Sequence, residues 1–235
     1  MNTVIIDSRL PRSVKDSLSA DGFGVIEMPS WDKLQVPVSA HPDMLMFITG
    51  DTIITHTDYY KKAKTVFRLI ISLGYKVILS DESISEKYPD DILFNCVQLD
   101  NFVFGKKSHA SKYILDYADK SDKSFIDVKQ GYSKCSVAKV NECAAITADT
   151  SMYRAMTEHG IDTLLISQGN ITLTGYDCGF IGGCSGSFGN KMYFTGNIDL
   201  HPDAAKIKEF CRKHGKNAVS LSNEPLFDGG SLFFI

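Results

Sequence analysis

The chain has 235 residues, 43% of them hydrophobic and 23% charged, enough apolar surface to bury a substantial core in one large domain or two small ones. A formal net charge of −3 and a pI near 6.1 exclude the basic footprint by which proteins grip nucleic-acid phosphates, so nucleic acid is not an expected partner. The longest apolar stretch, 66–79, is broken by Arg68, Gly74 and Lys76, which excludes a membrane span.

In chain order, TVIIDS alternates like a strand, PRSVKDSLSADG carries helical spacing to a stop at Gly22, and FGVIEMP is again a strand. MLMFIT and TIITHT follow as two strands, then a helix running to Gly74 and the strand YKVILS. DILFNCVQL, NFVFGK, the helix HASKYILDYADK and the strand SFIDVK repeat the order without a glycine stop. SVAKVN and AAITAD lead into TSMYRAMTEHG, with Asp149 as N-cap and Gly160 as stop, and then IDTLLIS. GFIGGCSG, KMYFTGN, DAAKIKEFCRKHG and NAVSLS form the last full copy, and SLFFI is a spare strand.

The recurring unit is therefore ββαβ. The first copy lacks only a first strand, and the C-terminal strand supplies it, closing a ring that leaves no open edge between the first and last units. The expected architecture is α/β: a single domain over 1–235 of five modules in a closed pseudo-fivefold propeller, the modules spanning approximately 1–30 plus 226–235, 41–80, 90–129, 135–168 and 176–222. A doubly wound sheet fits less well, because two strands separate most helices from the preceding module and no GxGxxG joins a first strand to a helix.

MNTVIIDSRLPR mixes acid and base without the pattern of a secretory signal, so the expected location is the cytoplasm. Six cysteines (Cys96, Cys135, Cys143, Cys178, Cys184, Cys211) form no CxxC pair and are expected as reduced thiols, with Cys211 packing beside Ile207 and Phe210. No metal or other cofactor is implied.

Candidate ligand groups lie where first strands would reach the axis. Lys129, Gln130, Tyr132 and Lys134 surround a polar junction before Cys135, and Lys134 would favour the Cys135 thiolate if the two side chains met. Gly182, Gly183 and Cys184 sit in a glycine-rich strand, where glycine marks close approach of backbone or ligand. His41 and Asp43 precede a strand rather than a helix, unlike His201-Pro202-Asp203, which opens one. Asn95 interrupts an apolar run, and Asp51, Glu142 and Asp228 stand at strand ends, suited to a cationic ligand if they face inward.

Five ββαβ modules around a pseudo-fivefold axis resemble the pentein superfamily of guanidine-modifying enzymes, the dimethylarginine dimethylaminohydrolases, arginine and agmatine deiminases and amidinotransferases. They also resemble a non-enzymatic, ribosome-binding translation initiation factor. VKQGYSKCS and GFIGGCSG are similar to segments of an uncharacterised bacterial branch of that superfamily. The resemblance implies a cysteine ending Asp-Gly-x-x-x-Cys; the chain reads Asp228-Gly229-Gly230-Ser231-Leu232-Phe233, placing Phe233 there. It also implies a histidine five residues before a Cys-Ser pair, where the chain has Gln130.

Neither replacement can attack carbon or exchange a proton near neutrality. Three functions stay open. The first is an axial pocket for a small guanidino or amino-acid-like ligand without the Cys/His chemistry, the second a protein- or ribosome-binding scaffold, and the third an amidine or amide hydrolase using a displaced nucleophile, Cys135 activated by Lys134. Whether the protein is an enzyme, and its oligomeric state, are left open by the residues.

Overall fold

The computed structural model describes residues 2–235. In chain order its elements are β1 (Thr3–Asp7), α1 (Arg12–Ala20), β2 (Gly24–Met28), α2 (Pro42–Leu45), β3 (Met46–Thr49), β4 (Thr52–His56), α3 (Thr57–Lys62), α4 (Lys64–Ser72) and β5 (Lys76–Ser80). Then come β6 (Val97–Leu99), β7 (Phe102–Gly105), α5 (Lys112–Lys120), β8 (Ser124–Asp127), α6 (Ser133–Ser136), β9 (Val137–Asn141), β10 (Ala144–Thr147), α7 (Thr150–Glu158) and β11 (Asp162–Leu165). The chain ends with β12 (Ser185–Phe188), β13 (Lys191–Phe194), α8 (Ala204–Lys213), β14 (Asn217–Ser220) and β15 (Phe233–Phe234).

The strands form five three-stranded sheets, each a hairpin followed by a parallel strand: β3-β4-β5, β6-β7-β8, β9-β10-β11, β12-β13-β14 and β15-β1-β2. In the last, β15 pairs antiparallel with β1, Val4 against Phe234 and Ile5 against Phe233, so the C-terminus completes the first module as the strand count requires. Residues of all five first strands, among them Ile48, Gln98, Val140, Ser187 and Phe233, line one common cavity, which puts those strands around a single axis.

Burial follows position within the module. Central strands β1, β4 and β10 are buried along their whole length, which is why TVIID, TIITH and AAIT lack a clean polar alternation. Outer strands such as β5 and β8 keep exposed positions, and each main helix presents one apolar face to its sheet. Cys211 is buried with Ile207 and Phe210 on α8, as the spacing indicates.

Two local expectations change. The segment between β4 and β5 is two helices, α3 and α4, not one. Four of the first strands also begin later than their apolar runs. His41-Pro42-Asp43 leads into the one-turn helix α2, DILFNCVQL becomes strand only at Val97, Ser136 belongs to α6, and GFIGG turns so that β12 starts at Ser185. Each of these four segments coils before it extends.

Candidate functional site

Those coiled segments hydrogen-bond one another into a closed ring. Asp43 N donates to Gly230 O (3.2 Å), Gly229 N and Ser231 N donate to Gly183 O (3.1 and 2.8 Å), and Gly183 N donates to Cys135 O (3.0 Å). Asn95 closes the circle with its side chain: Oδ1 accepts from Lys134 N (2.8 Å) and Cys135 N (3.2 Å), while Nδ2 donates to Asp43 O (3.1 Å). The glycines are required by this approach. A Cβ on Gly182 would overlap the carbonyl oxygens of Lys134, Cys135 and Val137, and one on Gly183 would overlap the Asp228 carboxylate.

The ring carries one polar chain of side chains. Lys134 Nζ donates to Ser231 Oγ (2.8 Å), and Ser231 Oγ donates to Asp43 Oδ2 (2.6 Å), with Gly182 O also within reach (3.0 Å). Asp43 is fully buried and its Oδ1 has no partner. Ser231 holds φ at +72°, a left-handed conformation that costs a non-glycine residue about 1–2 kcal/mol. The conformation aims its hydroxyl between the lysine and the acid. Burial pulls the Lys134 ammonium below its ordinary pKa, opposed by the charge of Asp43.

On one side of the ring is a cavity of about 440 Å³, walled by the first strands and reaching the hairpin turns at Gly50 and Glu142. Lys134 lines its inner end with Phe233, whose ring lies 5.2 Å from Nζ. Thr49 and Gln98, hydrogen-bonded to each other, and the Lys139–Glu142 pair (2.7 Å) supply the polar groups nearer the mouth.

The other side is a shallower cleft of about 390 Å³ that includes Asp7, Arg9, His41, Thr172 and Asp228. His41 is buried between Asp7 (3.8 Å) and Asp228 (3.7 Å). The carboxylates there are already engaged. Arg9 grips both oxygens of Asp7 and donates to the carbonyls of Val36 and Pro37, while Asp228 accepts from Phe180 N (2.9 Å) and Gly230 N (3.0 Å). Burial raises the Asp228 pKa, and His41 partly offsets it.

The candidate residues thus divide. His41, Asp43, Asn95, Lys134, Cys135, Gly182, Gly183 and Asp228 converge on the axis. Lys129 is exposed on the outside, and Gln130 is spent on Asp149 Oδ2 (2.7 Å) and Tyr132 N (3.0 Å). Tyr132 donates to Asp91 Oδ2 (2.7 Å) and stacks near Tyr88 and Phe180. The Cys184 thiol donates to Ile181 O (3.3 Å) within the core.

The Cys135 environment is the reverse of an activating one. Its thiol is buried and faces Asn95 Nδ2 (2.9 Å), and burial, with Asp43 and Asp228, pushes its pKa well up, while Lys134 points to Ser231 instead. Asp51 and Glu142 pair with surface lysines at hairpin turns. Sequence reasoning missed Ser231, Asp7 and Arg9. A serine following two glycines was the available signal for the first. Among the described residues no group of three or more His, Cys, Asp or Glu is placed to hold a metal ion, and no helix is long and apolar enough to cross a membrane.

Comparison with solved structures finds the same architecture in guanidine-modifying enzymes. SxtG, an amidinotransferase from Microseira wollei, is 11% identical with a TM-score of 0.53, covering 93% of this chain and 88% of that one. A dimethylarginine dimethylaminohydrolase from Pseudomonas aeruginosa, in a cysteine-to-serine variant complexed with citrulline, is 9% identical with a TM-score of 0.53 over 97% and 92%. The N-terminal domain of the cyanobacterial arginine dihydrolase ArgZ, bound to substrate, is 10% identical with a TM-score of 0.54 over 94% and 91%. At such identities the likeness establishes a shared fold, the five-module pentein propeller that the repeat pattern indicated. No curated protein sequence matches. By sequence, the model of the Family of unknown function (DUF6873) matches residues 5–233, so the chain belongs to that family.

Proposed function

We propose that the chain binds a small polar ligand of amino-acid or guanidino type in the axial cavity, without the Cys/His pair of the guanidine-modifying hydrolases. The observation that supports this reading is Lys134. A lysine has three N–H donors, and Lys134 spends one on Ser231 at the inner end of a cavity walled by both apolar and polar side chains. The partner it suits is a carboxylate. Arginine and citrulline carry the carboxylate; agmatine has the guanidino end alone. The carboxylates of the opposite cleft are already satisfied by Arg9 and backbone amides, which argues against a guanidino group there.

Thermal shift measurements with arginine, citrulline, methylated arginines and agmatine at millimolar concentration test the reading. Arginine or citrulline is expected to raise the Tm, with agmatine weaker, and Lys134→Met is expected to abolish the response. A ligand at ten times its Kd adds about 1.4 kcal/mol, which corresponds to roughly 3–6 °C in a domain of this size. No response to any compound, or an unchanged response in Lys134→Met, overturns it.

A second reading, a protein-binding scaffold, is favoured by the exposed apolar side chains Leu69, Ile71, Leu73, Ile78 and Leu79 around α4 and β5. Sedimentation with ribosomes at low and moderate salt tests its most specific form, and absence from the ribosomal fraction at both removes it.

A further inference from the structure

We infer that Lys134 is a covalent carbonyl-binding residue, forming an imine with a small 2-oxo acid or aldehyde in the axial cavity. The inference rests on the cavity being the ligand site, and adds a reaction to it. A lysine amine becomes a nucleophile at neutral pH when it is desolvated and can lose its proton. Lys134 meets both conditions. It is enclosed by Phe233 and the first-strand walls, and a hydroxyl links it to an acid with an unpartnered oxygen. Burial lowers its pKa in the same direction.

The left-handed Ser231 supports a dedicated relay rather than incidental packing. Two glycines precede it, and a glycine at 231 would satisfy the backbone, yet the chain keeps a hydroxyl in a strained conformation between Nζ and Asp43 Oδ2. The proton passes from the Lys134 ammonium to Ser231 Oγ while the Ser231 proton passes to Asp43 Oδ2, leaving a neutral amine and a protonated Asp43. The amine lone pair forms the N–C bond and the carbonyl π-electrons move to oxygen. A proton shift from nitrogen gives the neutral carbinolamine. Return of the Asp43 proton through Ser231 to the carbinolamine hydroxyl breaks the C–O bond and releases water. The net change is ammonium plus carbonyl to iminium plus water, with Asp43 again a carboxylate. The ligand carboxylate of a 2-oxo acid needs a second cation, and Lys139, on the neighbouring wall, supplies it by exchanging its Glu142 partner (2.7 Å) for the ligand.

The test is reductive trapping of the full chain with pyruvate or glyoxylate and cyanoborohydride near pH 7, followed by peptide mapping by mass spectrometry. One reduced adduct on Lys134, formed at least tenfold faster than on any exposed lysine, is expected. Lys134→Arg should give none there, and Ser231→Ala should lower the limiting trapping rate at saturating pyruvate at least tenfold. Labelling spread over exposed lysines without preference for Lys134 overturns the inference. So does a wild-type protein whose Tm rises with arginine or pyruvate but which yields no Lys134 adduct, a result that leaves the binding reading intact. An adduct on Lys134 with no thermal response to amino acids upholds the imine and overturns the amino-acid ligand.

Discussion

The rim and the axis of the propeller are built from the same five modules by opposite rules. At the rim every module ends its helix in the same way: the residue in the left-handed turn donates back three residues, and the next residue donates to the carbonyl five before it. Gly22, Gly74, Gly160 and Gly215 share this pattern through Phe23, Tyr75, Ile161 and Lys216. At the axis the five inward segments have five different sequences, holding Asp43, Asn95, Lys134-Cys135, Gly182-Gly183 and Gly230-Ser231. Repetition preserves a scaffold, so chemistry has to sit where the repeats diverge. The ring's closure depends on pairwise fits that no single module contains.

The largest expected effect comes from opening that ring. Three of its five links are backbone to backbone, and the other two both run through the Asn95 side chain. Asn95→Leu keeps the volume but strands the amides of Lys134 and Cys135 and the carbonyl of Asp43 in a buried site. At about 1–3 kcal/mol per orphaned group, and with partial relaxation, a loss of about 3–4 kcal/mol is expected. Ser111→Ala is the rim counterpart. It removes the α5 cap, which accepts from Tyr113 N (3.2 Å), together with the hydroxyl's donation to Glu82, and should cost about 1–2 kcal/mol. Urea unfolding of the two variants measures the ratio; equal losses would mean that the ring is incidental.

Much of the rim was legible in sequence because its causes are local. Glycine stops, the Asp149 cap and the apolar face of α8 each follow from residues within a turn of one another. The axis was legible only in part. Asn95, His41 and Gly182 stood out as polar or glycine interruptions of apolar runs, but their partners lie far away in sequence, 40 residues from Asn95 to Cys135 and 49 from Gly182 to Ser231. The Lys134–Cys135 pairing misled for the same reason. Adjacent residues in the one-turn helix α6 point apart, so the lysine found Ser231 and the thiol found Asn95.

The contrast extends to acids. At the rim, Asp203 accepts from Lys206 Nζ (2.8 Å) and from Ser167 N (2.7 Å), which hold its pKa well below the ordinary range. At the axis, burial raises Asp228. The signs differ. The depressed Asp203 adds stability that is full above its unfolded pKa of about 3.9 and is lost as pH falls toward its folded value. The raised Asp228 is a cost at neutral pH that is relieved as pH falls through its folded value. Asp203→Asn is therefore expected to destabilise by about 1 kcal/mol at pH 7, with wild type and variant converging below about pH 4. Denaturant melts from pH 7 to pH 2 check this, and a difference that stays constant to pH 2 would show that Asp203 acts through hydrogen-bond geometry and not charge.

The smallest effect tests whether left-handed residues mean different things in the two regions. The third module lacks a glycine stop, and Asp122 takes its place at φ +51°, with Lys123 N donating to Ala118 O (2.8 Å) as the glycine modules do. Nothing beyond that local turn requires aspartate there. Asp122→Gly should relieve the left-handed strain of about 1 kcal/mol and lose part of the gain to the greater freedom of glycine in the unfolded chain, leaving about 0.5 kcal/mol of stabilisation. For a chain of this length that is a rise of about 1–2 °C in Tm, measurable by differential scanning fluorimetry. The same change at Ser231 also relieves backbone strain, but it removes the hydroxyl between Lys134 and Asp43 and leaves both buried groups short of a partner. It is therefore expected to destabilise. Stabilisation by both glycines would reduce Ser231 to another helix-stop-like turn; opposite signs would separate strain that merely persists from strain that holds two charged groups together.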